Sequence, residues 1–130
     1  MGSKTDYLRN KLLNYVLTNA AYTAPTTVYV ALFTTSPTAA GGGTEISVTA
    51  TGYARQAATF TTATADSSSN SGTLTFGPAL TSWGTLNGFA ILDNLTGGNM
   101  LYFGDLSAPK TVGQDDQVQF SAGSITISET

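Results

Sequence analysis

The sequence predicts a mainly β fold, an antiparallel β-sandwich or small, jelly-roll-like barrel, with one N-terminal α-helix. Three observations carry that expectation. Roughly seven to nine short runs of β-branched and aromatic residues recur along the chain, turn signals separate them about every 8 to 12 residues, and only one stretch has helical periodicity. At 130 residues the chain is long enough for one core, and no change of composition or internal repeat divides it. The expected organisation is a single domain over 1–130, with a helix at 4–18 and a β-rich body at 27–128.

The helix rests on Leu8, Leu12, Tyr15 and Val16, spaced i, i+4, i+7 and i+8 to form one apolar stripe, with Arg9, Lys11 and Asn14 off it. Ser3 or Thr5 can cap its start, and Asp6 in the first turn suits the helix dipole. The pattern stops near Asn19, and Pro25 forces Ala24 into extended backbone. Val28 to Thr34 is then continuously apolar, β-branched and aromatic, as a central strand buried on both faces would be. Ser36-Pro37 and Gly41-Gly42-Gly43 form a turn. Glu45 to Val48 alternates as a half-exposed strand, and Tyr53 to Phe60 is a further extended candidate. Thr64 to Gly72 is so polar that an exposed loop is expected. Thr73 to Phe76 alternates again and ends at Gly77-Pro78.

Leu86 to Leu92 and Met100 to Leu106 flank Asp93 to Asn99, whose Gly97-Gly98 supplies hairpin chemistry. Pro109 is expected to close the second of these strands. Val118 to Phe120 and Ser124 to Ile127 supply two last strands around Gly123. Tyr29, Phe33, Phe76, Phe89, Phe103 and Phe120 fall within strand patterns and are expected in the core. Trp83, Tyr53, Tyr22 and Tyr7 sit at element ends or on the helix, where a rim or subunit contact is available to them.

Composition excludes several chemistries. Without cysteine there is no disulfide, thiolate metal site or thiol nucleophile. Without histidine there is no Ser-His-Asp triad and no imidazole ligand. A Ser-Lys dyad would need Lys110, which reads as a surface residue after a proline turn. Asp115 and Asp116 point to opposite faces if extended and read as a turn bonding local backbone, not as a hydrolytic pair. Asp93, Asn94 and Asn99 could ligate calcium, but the same residues suit a tight turn. No enzymatic activity, cofactor or metal is expected.

A net charge of −3 and a pI near 4.4 argue against nucleic acid, and no apolar run reaches the ~20 residues that would span a membrane. Charged residues make up only 10% of the chain, against about 25% in ordinary domains. Threonine outnumbers all of them together. Such a surface suits a protein largely covered by neighbours in an assembly. Lys4, Arg9 and Lys11 place a basic segment ahead of an acidic body, which suits docking onto an acidic neighbour.

Several blocks are also similar to those of a known family. They are Asn19 to Thr38 (NAAYTAPTTVYVALFTTSPT), Gly41 to Glu45, Gly52-Tyr53-Ala54-Arg55-Gln56, Trp83-Gly84 with Phe89-Ala90-Ile91, and Gly97 to Tyr102. In this order they resemble a family of small tailed-bacteriophage and prophage virion proteins, often labelled tail-fibre or minor structural proteins. Ile46 to Thr51 departs from the shorter Ser/Gly-rich link expected there. The resemblance implies a structural component on the exterior of a phage particle, made in the bacterial host cytoplasm. The leading expectation is a capsid decoration (cement) protein, associating with copies of itself, as a trimer, and with the major capsid protein. The alternative is a tail-fibre or baseplate module that attaches to host-surface glycans. Tyr7, Arg9, Lys11, Tyr53 and Arg55 are the expected interface residues, Tyr53 as an anchor and Arg55 as a charge-assisted donor.

Overall fold

The computed structural model describes residues 2–128; residues 1, 129 and 130 of the expected span lie outside the described residues. In chain order the elements are β1 (Gly2–Lys4), α1 (Asp6–Leu17), β2 (Val28–Thr35), β3 (Thr44–Glu45), β4 (Gln56–Ala58), β5 (Ser67–Ser69), β6 (Leu74–Phe76), β7 (Gly84–Leu92), β8 (Met100–Val112), β9 (Val118–Phe120) and β10 (Thr126–Ser128).

Seven of these strands form a sheet in the order β3-β2-β7-β8-β1-β10-β5, with β4 also paired to β2, and β6 and β9 form a small sheet of their own. Every pair is antiparallel except β1 with β10, so the larger sheet is mixed where a purely antiparallel one was expected. The edge of β5 is not free: Thr61 N–H donates to Ser69 O at 2.8 Å and Ser71 N–H to Thr59 O at 2.9 Å. The chain leaving β4 therefore runs along β5 and blunts that edge.

The centre of the sheet matches the apolar run. Val30 and Leu32 of β2 join Phe89, Ile91, Leu86, Phe76 and Phe120 in one large buried cluster, while Ala31 and Phe33 pack on the opposite face with Ala90 and Leu92. Both faces of β2 are thus covered, and β6 and β9 contribute Leu74, Phe76, Val118 and Phe120 to the main cluster. The β7–β8 hairpin also forms as expected around 93–99.

Tyr29 and Phe103, expected in the core, are only half-buried and join neither cluster, and four expectations about the elements need correction. Lys4 ends a strand and does not start the helix: β1 lies between β8 and β10, so close that a Cβ on Gly2 would sit 2.3 Å from Ile127 Cδ1. A larger residue there would require the end of the Ile127 side chain to shift. Glu45 to Val48 does not continue as a strand; Ile46 turns inward, Val48 stays exposed, and left-handed Ala50 (φ 58°) and Gly52 (φ 76°) turn the chain back. Pro109 does not end β8. Between Leu86↔Lys110 and Gly88↔Asp105 the register slips, two steps on β7 against five on β8, and Pro109 lies in that bulge, where no ladder N–H is needed.

The fourth correction concerns 64–72, which is no simple loop. Thr64 and Ser67 bond reciprocally around left-handed Ala65 and Asp66, closing a hairpin that carries β5. Its Asn70 is 1% exposed. Asn70 Nδ2 donates to Gly72 O (2.8 Å) and Ser121 O (2.9 Å), and its Oδ1 accepts from Ile125 N–H (2.9 Å). One buried amide thereby ties the hairpin to the turn between β9 and β10, its polar atoms fully used.

Candidate assembly surface

Helix α1 is set by its caps. Thr5 is its N-cap, its Oγ1 accepting from Leu8 N–H at 3.3 Å and donating to Met100 O at 2.6 Å. Thr5 N–H also donates to Leu101 O, and Asp6 N–H to Ala39 O. The start of the helix is thus fastened to the first residues of β8 and to the loop after β2. At the other end Asn19 takes a left-handed φ of 62°, and Thr18 and Ala20 N–H groups both donate to Asn14 O. That is a C-terminal cap in which asparagine substitutes for the usual glycine.

Only one residue of the expected stripe is fully enclosed. Leu8 is buried and Leu12 half-buried, but Leu13 (55% exposed), Tyr15 (54%), Val16 (73%) and Leu17 (74%) face outward. Lys4, Arg9, Leu12, Leu13, Val16 and Leu17 line an open groove of ≈ 310 Å³ on this face. Isolated exposed leucines are ordinary, but Leu13, Val16 and Leu17 lie together on the last turn and a half with Leu12 beside them, Tyr15 pointing to another side of the helix, and such patches mark contacts.

Tyr7, Arg9 and Lys11 lie on this helix. Tyr7 is half-buried, Lys11 Nζ lies 5.7 Å from its ring centroid, and Arg9 pairs with Asp6 one turn back. Tyr53 and Arg55 are elsewhere and work internally. Tyr53 is 3% exposed, stacked with Phe76 (centroids 6.3 Å apart) and edge-on to Trp83 (5.6 Å). It sits in the core and not at a surface, and so does Trp83. Tyr53 Oη accepts from Leu32 N–H at 3.0 Å and donates to Glu45 Oε2 at 2.7 Å. Burial, reinforced by the bond to Glu45, pushes the phenol's pKa well up. Arg55 makes a two-pronged pair with Glu45, both bonds at 2.9 Å, and its Nη1 donates to Asn94 O and Gly97 O. The bond to Glu45 raises its pKa further. Arg55 is therefore a clamp that holds the 93–99 loop against the sheet. Periodicity could not reveal this, because Glu45, Arg55 and Asn94 are far apart in sequence.

The carboxylates singled out as ligands or catalysts serve turns. Asp93 Oδ1 accepts from Asn99 N–H at 2.7 Å and its Oδ2 from Asn99 Nδ2 at 3.2 Å. Asp116 Oδ2 accepts from Gly113 N–H at 2.8 Å, beside a left-handed Asp115. No three acidic side chains among the described residues gather where a metal ion could sit. A groove of ≈ 470 Å³ is lined by Thr26, Thr27, Thr59, Thr73, Phe60 and small or apolar neighbours, with no charged or amide side chain. Among the described residues no helix is long and apolar enough to cross a membrane.

The fold and this surface define a small β protein built on a mixed sheet, with an apolar helix face left open on its exterior. The chain belongs to the family described as podophage GP4 fiber I protein gp80, whose model matches residues 3–128. It is a phage structural protein. No curated protein matches it.

Proposed function

We propose that the chain is a component of a podophage fibre, that it acts by protein–protein contact through the open face of α1, and that it has no catalytic role. The observation that carries this reading is the helix itself: capped at both ends and fastened to β8, yet presenting Leu13, Tyr15, Val16 and Leu17 to solvent. Each such side chain gains about 1.5–3 kcal/mol on full burial, so the face is most stable when covered. The partners are further copies of the chain and other virion proteins. The fibre assignment follows the family's description and is preferred to capsid decoration, which rests on the low-charge, threonine-rich surface and the lack of long shaft repeats in this sequence. Recognition of host glycans ranks lower. The threonine-lined groove offers hydroxyls and Phe60 but none of the carboxylate, amide or guanidinium groups that fix sugar hydroxyls in pairs.

Gold-labelled antibody on purified particles tests the proposal. Label along fibres is the expected result; label over the shell would establish decoration in its place, and unlabelled particles would remove both readings.

A further inference from the structure

The large apolar side chains exposed among the described residues are Leu13, Tyr15, Val16, Leu17, Val48, Leu80 and Leu95, and they fall at two ends of the molecule. At one end β7 meets β8 at Leu92↔Met100. The 93–99 loop with Leu95 turns there, Thr5 fastens α1 to Met100 O and Leu101 O, and Tyr29, near the start of β2, pairs with Leu92. At the other end the pairing is Gly84↔Val112. Leu80 lies there: its N–H donates to Thr51 O, and Trp83 N–H donates to Val112 O. The turn carrying Val48 is beside it, closed by the Thr51 hydroxyl on Ser47 O. The nine residues of β7 separate the two ends by roughly 30 Å.

Charge divides the same way. The α1 end carries Lys4, Arg9 and Lys11, against Asp6 and Asp93. The Leu80 end carries Asp115 and Asp116, joined to Ala79 by Asp115 N–H to Ala79 O (2.7 Å) and Ala79 N–H to Asp116 O (2.9 Å). Lys110, two residues before Val112, turns its Nζ over the Phe120 ring at 5.7 Å.

We infer that copies of this chain associate head to tail, the basic, apolar α1 face of one seated on the acidic Val48/Leu80 end of the next. The occupant of each surface is thus a second copy, chosen by apolar match and opposite charge. A contact between two different patches repeats until it closes a ring or extends a stack, unlike a two-fold contact, which stops at a dimer. The inference deepens the assembly reading above and rests on it only for its biological setting.

Two double variants test it, both in exposed side chains: Val16→Ser with Leu17→Ser on the helix, and Leu80→Ser with Asp115→Asn at the other end, the latter keeping a residue that tolerates the left-handed backbone. Circular dichroism first confirms that each is folded. In sedimentation velocity the unaltered chain is expected to grow past the dimer with concentration, and to dissociate as salt rises from about 0.05 to 0.5 M. Each variant alone should associate more than about tenfold more weakly. A one-to-one mixture should form dimers and nothing larger, because one intact junction remains per pair. An unaltered chain that stays monomeric overturns the inference. So does a Leu80/Asp115 variant that assembles normally, which would mean helix on helix, or a mixture that fails to pair. Failure here with gold label still on the fibre leaves the proposed function standing; unlabelled particles with intact stacking would do the reverse.

Discussion

Replacing Asn70 with alanine removes three hydrogen bonds at once, but their losses differ. Ser121 O keeps the Ser124 N–H (3.0 Å) and hydroxyl (2.7 Å) as donors, and Gly72 is exposed, so water can replace the lost amide there. Ile125 N–H has neither recourse, since Ile125 is fully buried and Asn70 Oδ1 is its acceptor. An orphaned buried donor costs about 1–3 kcal/mol, and each of the two bonds whose carbonyl keeps or gains another donor about 0.5 kcal/mol, so Asn70→Ala should cost roughly 3 kcal/mol. At about 4 °C per kcal/mol for a chain of this length, Tm should fall by about 12 °C. Asn70→Asp sharpens the test. It keeps the acceptor for Ile125 but turns the donor into an anionic oxygen facing two carbonyls. The folded state then disfavours the carboxylate, so its pKa rises above the ordinary value of about 3.9. The folded state binds more protons in that window, and stability falls as pH rises through it. Melting by circular dichroism from acid to neutral pH measures both. A drop below about 3 °C for Asn70→Ala, or an aspartate variant that gains stability relative to the unaltered chain as pH rises, would refute the reasoning.

Tyr53→Phe leaves Leu32 N–H without its acceptor and Glu45 without one of its donors, for an expected loss of about 2–3 kcal/mol in urea unfolding. In the unaltered chain the raised Tyr53 pKa means the unfolded state loses the phenolic proton first. Its contribution to stability is full below about pH 10 and declines above it, which urea midpoints taken between neutral and strongly alkaline pH will show, and Tyr53→Phe should flatten that decline. Arg55→Ala should release the 93–99 loop, read as faster hydrogen exchange at residues 94–98 with the β2 amides unchanged. Gly88→Val should destabilise by about 1–3 kcal/mol, because a Cβ there would lie 2.4 Å from Ser36 Oγ and 3.0 Å from its Cα; thermal melting reads it directly.

What could be read from the sequence depended on whether the signal was local. β2 was legible because a strand covered on both faces needs an unbroken apolar run, and the β7–β8 hairpin because Gly97 and Gly98 occupy positions with positive φ. The presence of α1 and its cap residue Thr5 were legible, while its start was expected two residues early, at Lys4, which ends β1. The burial of α1 was not legible, since a stripe of period 3.6 announces that a surface wants covering without saying which chain supplies the cover. β5 was invisible: Ser67, Ser68 and Ser69 carry no apolar signal, and the segment is a strand because β10 and residues 59–61 offer it ladders on both sides. Tyr53 and Arg55 looked like surface contacts because their partners lie 8 to 42 residues away. Tyr7, Arg9 and Lys11 lie on the open helix, where their interface role is part of the proposal.

The adjacent, parallel course of β1 and β10, with Gly2 opposite Ile127, has a mechanical consequence. Tension entering through residue 2 and leaving through residue 128 pulls these neighbours along their own axes in opposite senses. Their bonds to one another, to β8 and to β5 are then loaded in shear, sharing the strain together, where a hairpin pulled from its open end would unzip one rung at a time.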